Sequence, residues 1–383
     1  MRAAVCFLTA VCFMAILLTV EANAGINAEI NTGMLEEQLE ALGADELMGH
    51  VPWEARQYLE AAQLYDLSFE SLIQLTPGRF FSAVWQMFTY ALIAPLRTLG
   101  IMLAVVLLCA LLETLRAAAW ENTISAVFQT VSVLSILTFI ARPIFDLIVN
   151  TRDTIQEAAL FMIGFIPMFS AALIGAGRPA TGATYSLFLM GASQMVAQLV
   201  AGTLIPLMSI YLAICISGAF LPDLNIVQAA GGIKSAVNWT MGLILTVFFA
   251  LLSLQGLLTG GADGLTVRAT RFIIGNFVPV VGSILSDGYM AAQGYLRLLK
   301  TTVGVYGILV AMFIFLPIII RVGVWYLIAQ LVAMASDIVG AGHIATILRS
   351  CSNVLALLLS AIICFALLFI ISTGIILSTG MGV

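Results

Sequence analysis

The sequence predicts an all-α polytopic membrane protein with about eight to nine transmembrane helices. Two observations carry this prediction. Of the 383 residues, 62% are hydrophobic and only 9% are charged, and the mean hydropathy is +1.10. A soluble domain carries about 25% charged residues, so this chain lacks the polar side chains that a water-facing surface needs. Uncharged apolar runs also recur along the chain, and about 20 such residues cross the hydrocarbon core of a bilayer.

The first 24 residues have the layout of a cleavable signal peptide. Arg2 precedes an apolar stretch over residues 3–20, and the small residues of Ala22-Asn23-Ala24 follow it. This order of a basic start, an apolar run and a small-x-small motif is typical of secretory signals. We predict a signal peptide over 1–24, cleaved after Ala24. An uncleaved first span is the alternative.

Residues 25–90 are predicted to be an acidic, extracytoplasmic helical region. Between residues 25 and 78 there are ten acidic side chains and one basic one, Arg56. Leu35, Leu39 and Leu42 share one face of a helix. We expect a pair of solvated helices outside the membrane, with a docking surface for a partner as the alternative. Acidic residues oppose translocation little, which agrees with the signal peptide.

Residues 91–383 are predicted to form a multi-span membrane domain. One further apolar stretch, 272–286, is shorter and contains Gly275, Asn276, Pro279 and Gly282. Its length and interruptions favour a re-entrant or broken helix over a full span. The predicted full spans are 98–115, 124–149, 159–177, 183–203, 205–221, 237–259, 303–320, 322–338 and 354–378.

The membrane domain also contains a predicted internal repeat. The segment Phe161–Pro167 resembles Phe272–Pro279, and the segment Ile233–Asn238 resembles Leu348–Asn353, at nearly the same offset. Interrupted apolar segments in corresponding positions of two repeats are a feature of many transporter folds. The predicted repeat units are about 123–235 and 236–350.

Polar residues bracket the interrupted segment. Asp263, Gly264, Arg268 and Arg271 precede it, and Asp287 follows it. One interpretation is a gate or contact site in which Asp263 or Asp287 pairs with Arg268 or Arg271. The other is an ordinary polar loop at the headgroups. Backbone freed by Gly and Pro at membrane depth must be buried in protein or line water, which adds Gly275, Asn276, Pro279 and Gly282 to the candidate residues.

Arg142 and Asp146 form a second candidate pair, four residues apart in the predicted span 124–149. This spacing brings two side chains to one face of a helix. Charges within a membrane are rare and usually face the interior of a bundle. A neutralising structural pair and a proton or ion relay are both compatible with the spacing.

The sequence has no recognisable catalytic or cofactor motif. It lacks a phosphate-binding GxxxxGK[ST], a zinc-binding HExxH and a GxSxG elbow. Its net charge of −5 and scattered basic residues argue against nucleic-acid binding. The later cysteines, Cys109, Cys215, Cys351 and Cys364, lie in or beside predicted spans and suit small apolar fillers. We expect no enzyme activity and no cofactor.

The stretch from Ala262 to Gly304 resembles the signature region of the stage III sporulation protein AE family. The order of signal peptide, acidic external region and many spans is also similar to that family. The residues that carry the resemblance are Ala262-Asp263-Gly264-Leu265-Thr266-Val267-Arg268, Arg271-Phe272, Gly275-Asn276-Phe277-Val278-Pro279-Val280-Val281-Gly282, Asp287 and Thr302-Val303-Gly304.

The resemblance implies a non-enzymatic component of a channel or secretion-like complex in endospore formation. Its location would be the mother-cell membrane around the forespore, in contact with lipid, with the N-terminal region extracytoplasmic. Its partners would be the other proteins of the stage III sporulation A operon, including an ATPase, and a forespore-side protein across the intermembrane space. The role implied is forespore maintenance after engulfment, as a permease-like or channel-lining subunit. The rival interpretations are an autonomous ion-coupled transporter and a purely structural scaffold.

Overall fold

The computed structural model describes residues 32–62, 64, 77–119, 122–220, 226–277 and 282–378. The described residues are almost entirely helical and include no strand, which confirms the all-α prediction for them. The predicted signal peptide, and the predicted cleavage after Ala24, lie outside this range.

Three short helices precede a set of much longer ones. The short helices are α1 (Thr32–Ala41), α2 (Ala44–His50) and α3 (Trp53–Ala61). The longer helices are α4 (Pro77–Ala119), α5 (Asn122–Gly175), α6 (Pro179–Leu199), α7 (Ile205–Phe220), α8 (Ile226–Phe277), α9 (Gly282–Ile338) and α10 (Gly342–Ser378). A π-helical turn, Val200–Leu204, connects α6 to α7 without a break. Pro206 follows this turn, and because proline has no N–H to offer the helical ladder, the local widening accommodates it.

Several predicted spans merge into single helices. The predicted spans 124–149 and 159–177 both lie on α5, which has 54 residues. A helix of that length measures about 80 Å, whereas the hydrocarbon core is about 30 Å thick. The polar interval Asn150–Glu157 stays helical because it contains neither Gly nor Pro. Hydropathy alone therefore divided one helix into two.

Six helical stretches in the described part of the chain are long and apolar enough to cross a membrane. The predicted number of eight to nine spans is not confirmed, because neighbouring predicted spans share a helix. Within the segment 272–286, α8 is described as far as Phe277 and α9 from Gly282 onwards, so the predicted interruption stays a prediction. Residues 278–281, which include Pro279, lie outside the described residues.

The long helices α9 and α10 form the centre of the bundle. Their apolar stretches are mostly buried, whereas those of α4 and α8 are mostly exposed. The two helices run antiparallel, since Asp337 pairs with Arg349 near one end and Lys300 contacts Leu377 at the other. Gly340, with φ +86°, makes the turn between them, a backbone conformation that glycine adopts without steric cost.

Two glycines let α9 approach its neighbours closely. A methyl group on Gly307 would overlap the ring of Phe165 on α5, and one on Gly304 would overlap Leu377 and lie 2.9 Å from Phe169. Phe165 and Phe169 stack at a centroid distance of 5.5 Å. Small residues that permit close backbone approach are characteristic of helix packing in membranes.

The helices α1, α2 and α3 are here called the N-terminal wedge: α2 packs on α5, α3 packs on α9, and α1 packs on α2. Leu39, Leu47 and Leu59 are each 2% exposed, and the hydroxyl of Tyr306 on α9 donates to the sulfur of Met48 at 2.6 Å. In place of the predicted pair of helices there are three short ones, and they bury one face while their acidic residues Glu37, Glu40, Glu46, Glu54 and Glu60 stay exposed. An amphipathic pattern indicates that one face is buried, but it does not say whether the helices bury it on each other or in a groove.

Candidate functional site: a charged junction where helices begin and end

The break between α5 and α6 leaves a helix start that its own chain does not cap. The helix α5 ends at Gly175, Gly177 has φ +80°, and Pro179 begins α6. The residue at the N-cap position is Arg178, whose side chain makes no capping hydrogen bond and has no acceptor atom to offer. The first N–H groups of α6 therefore need an acceptor from another part of the molecule.

Asp263 of α8 supplies that acceptor. Its carboxylate accepts hydrogen bonds from the N–H of Ala180 at 2.9 Å and the N–H of Thr181 at 3.1 Å, and also from the Thr181 hydroxyl. The residue is only 4% exposed. A negative charge at a helix N-terminus is favoured by the helix dipole as well as by the hydrogen bonds. Asp263 therefore caps α6 from 82 residues away in the sequence.

Lys300 of α9 makes the converse contact at a helix end. It is 4% exposed, and its Nζ donates to the backbone carbonyl of Leu377, in the last turn of α10, at 3.1 Å. A cation is favoured at a helix C-terminus, where carbonyl groups lack partners. Arg178 lies close enough to interact with both Asp263 and Lys300. Burial lowers the pKa of the Arg178 guanidinium, and the Asp263 carboxylate partly opposes this.

Arg178, Asp263 and Lys300, together with the start of α6 and the end of α10, are called the lower junction. The carboxylate carries three hydrogen bonds and the ammonium one. Each of these two charges thus has a specific partner, which reduces the cost of burial. The junction joins α6, α8, α9 and α10 at one level of the bundle.

A second polar contact lies further up the bundle. The Nζ of Lys234 on α8 donates to Oδ1 of Asn353 on α10 at 2.8 Å, with Tyr211 of α7 beside Asn353. Asn353 and Leu377 are 24 residues apart on α10, or about 36 Å at the helical rise. The hydrocarbon core is about 30 Å thick. The lower junction and this upper contact are therefore spaced to lie at opposite surfaces of one bilayer.

The upper contact joins two segments of the predicted repeat. Lys234 belongs to Ile233–Asn238 and Asn353 to Leu348–Asn353, which are the segments that resemble each other. A symmetric pair of repeats would also bring Arg349 to Asn238. Arg349 pairs instead with Asp337, so the contact between Lys234 and Asn353 has no symmetric counterpart.

The structure separates the other candidates around the interrupted segment. Arg268 is exposed, and Asp263 contacts α6, so the predicted pairing between Asp263 and Arg268 is absent from this structure. Gly264 is exposed on α8. Gly282 is the first residue of α9. The remaining candidates, whose side-chain contacts or positions lie outside what the structure describes, are Arg271, Gly275, Asn276, Pro279 and Asp287.

Arg142 and Asp146 do not form the expected internal pair. Both side chains are exposed on α5, and the structure contains no ion pair between these two described residues. Arg142 is 33 residues from Gly175, where α5 ends near the lower junction, which corresponds to about 50 Å along the helix. It lies in the same apolar stretch as Gly164, Val131–Gly175, but nearer the end that is farther from the lower junction.

Sequence reasoning missed Lys300, Arg178 and Thr181. Lys300 precedes two threonines just before a predicted span, a pattern typical of a residue at the membrane border. A signal for the α6 cap did exist: Pro179 begins a helix, and Arg178 before it has no acceptor. Nothing in the local sequence identified Asp263 as the missing partner. No group of three or more His, Cys, Asp or Glu suited to a metal occurs among the described residues.

Long apolar helices, some of whose ends are capped by buried charges, define an integral membrane protein of the polytopic helical class. Within that class, the chain belongs to the stage III sporulation protein AE family, whose model matches residues 60–380. It is 26% identical over 309 residues to "Stage III sporulation protein AE" of Bacillus subtilis (strain 168), a match that covers 80% of this chain and 76% of that protein. No solved structure shows a significant match.

Proposed function

We propose that this protein is a permease-like or channel-lining membrane subunit of the sporulation complex that links mother cell and forespore, needed for forespore maintenance after engulfment. Family membership supports the role in sporulation. The observation that carries the transport part is the lower junction. Transport proteins use the charged ends of interrupted helices to bind ions and charged groups, and here the start of α6 is capped in trans by Asp263 beside a buried Lys300.

The partners proposed are the other stage III sporulation A-operon proteins, including an ATPase, and a forespore-side protein. The N-terminal region would be extracytoplasmic in the mother-cell membrane around the forespore. We further propose that the repeat units about 123–235 and 236–350 arose by duplication, supported by the two matched pairs of segments at nearly the same offset. The chain has no proposed catalytic role, so the energy for transport would come from a partner.

The proposed function is tested with Asp263→Asn in a spore-forming host. The amide keeps the shape of the side chain but removes the charge that the α6 N-terminus favours. We expect normal accumulation in the membrane and at least a tenfold loss of heat-resistant spores. Arg268→Gln, on the same helix and exposed, is the matched control and should sporulate normally. Normal spore yield from Asp263→Asn at normal protein levels would mean that the junction is only a packing feature.

A second candidate function, the autonomous ion-coupled transporter, is favoured by one observation, the nearly complete burial of Asp263 in an apolar bundle. Liposomes containing this chain alone discriminate the two. A channel-lining subunit needs its partners and should give no solute or proton flux by itself. Flux that disappears in Asp263→Asn would identify the chain as the complete transporter.

A further inference from the structure

The N-terminal wedge contacts the middle of two helices that could cross the membrane. Met48 contacts Tyr306 and Glu54 pairs with Arg321 at 3.7 Å, both on α9. A methyl group on Gly164 of α5 would lie 3.1 Å from the ring of His50. Gly164, Tyr306 and Arg321 all lie inside apolar stretches long enough to span a bilayer. The wedge is therefore beside the spans and not beyond their ends.

Helix geometry places the wedge between the two polar levels. Tyr306 is six residues above Lys300 of the lower junction, and Arg321 is 21 residues above it. These intervals correspond to about 9 Å and about 32 Å along α9. Gly164 is 11 residues, about 17 Å, from the end of α5 at Gly175. The contacts of Met48 and His50 thus lie at the depth of the apolar layer of the bundle, and the pair between Glu54 and Arg321 lies at its upper border.

The outer side of the wedge is unsuited to lipid. Residues 32–64 contain seven acidic side chains and one basic one, Arg56. Charged side chains exposed to lipid at this depth are strongly disfavoured. By contrast, α8 exposes leucine and valine at a comparable depth, including Val247 and Leu251. The acidic residues that the wedge exposes are Glu37, Glu40, Glu46, Glu54 and Glu60.

We propose that the face of the bundle that carries the N-terminal wedge borders a water-filled passage, continuous with the extracytoplasmic side, at membrane depth, and that its acidic lining favours cations. Other subunits or further copies of the chain complete the passage, and the exposed face of α8 contacts lipid. Walls of one charge sign concentrate counter-ions next to them, and acidic linings are used by cation pathways. This inference rests on the proposed channel-lining function and specifies which surface does the lining.

Cysteine accessibility tests the proposal in membranes from sporulating cells that contain the whole complex. All six native cysteines are replaced by alanine, and spore yield confirms that this background works. Glu46→Cys is then compared with Leu251→Cys, which lies 12 residues, about 18 Å, above Asp263 on α8. We expect a membrane-impermeant thiol reagent to label Glu46→Cys at least tenfold faster than Leu251→Cys.

Two results would overturn the proposal. Equal labelling of both positions would mean that this depth is not membrane, and no labelling of Glu46→Cys would mean that the wedge is sealed from water. The cation preference has its own measurement, the ratio of rates for a trimethylammonium and a sulfonate methanethiosulfonate at Glu46→Cys. A ratio no higher than that for a free thiol would overturn it. Spore yield from Asp263→Asn is independent of these rates, so a failure of the proposed function is recognised separately.

Discussion

The helices α8 and α9 have similar lengths and similar apolar compositions, yet α9 is mostly buried and α8 mostly exposed. Two glycines of α9 contribute to this difference. On α9, Gly304 and Gly307 face aromatic and aliphatic side chains of other helices, whereas on α8, a methyl group added to Gly242 or Gly256 would have no neighbour within 4 Å. Lipid is as apolar as leucine, so hydrophobicity does not sort helices inside a membrane. Close approach between helix backbones, which glycine permits, favours the burial of one helix over another.

The largest expected effect distinguishes these two kinds of glycine. In Gly307→Ala, the new methyl group would overlap the Phe165 ring, and overpacking of this kind costs about 1–3 kcal/mol. In Gly256→Ala, the methyl group enters open space, and the better helix propensity of alanine should stabilise by up to about 1 kcal/mol. Thermal unfolding of the detergent-purified variants measures both. Equal midpoints would show that the close contact between α5 and α9 is not made.

The next effect concerns Asp263, through which α8 contacts the start of α6. Asp263→Ala removes three hydrogen-bond acceptor contacts from that helix start, and we expect a loss of about 2 kcal/mol in unfolding free energy. Arg268→Ala should change it by less than about 0.5 kcal/mol, as exposed positions usually do. A loss from Asp263→Ala no larger than that from Arg268→Ala would mean that Asp263 does not cap α6.

A smaller effect is expected between the wedge and α9. Glu54 and Arg321 are 3.7 Å apart, and their side chains are 63% and 30% exposed. Such a pair contributes about 0–1 kcal/mol and is screened by salt. A double-mutant cycle with Glu54→Gln and Arg321→Gln, read as protease resistance of the N-terminal wedge, should give a coupling near the middle of this range. A coupling that persists in about 1 M salt would indicate a much less exposed pair.

The smallest expected effect is the coupling between Arg142 and Asp146. Because both side chains are exposed and no ion pair joins these two described residues, the losses from Arg142→Leu and Asp146→Leu should add to within about 0.5 kcal/mol. Accumulation of the single and double variants in membranes measures this. If the double variant accumulates better than either single variant, Arg142 and Asp146 form the structural pair that the sequence predicted.

The sequence was sufficient for the membrane class, because long apolar runs are a local signal. It was insufficient for the continuity of α5, where the polar interval Asn150–Glu157 has the hydropathy of a loop but no Gly or Pro to end the helix. It also could not place the N-terminal wedge or Asp263. Both depend on contacts between residues far apart in the chain, for which one sequence holds no local pattern.

The distance along the chain between Thr181 and Asp263 has a consequence for biosynthesis. The two are 82 residues apart, so at ribosomal speeds of about 5–20 residues per second the acceptor follows the donors by about 4–16 seconds. During that interval the start of α6 has no carboxylate to bind and must be hydrated or bound by the insertion machinery. The end of α10 has the opposite history, because Lys300 is already present when Leu377 is made. Translation therefore sets the order in which the lower junction assembles. The start of α6 is made before Asp263, which caps it. The end of α10 is made last, when Lys300 is already present to bind it.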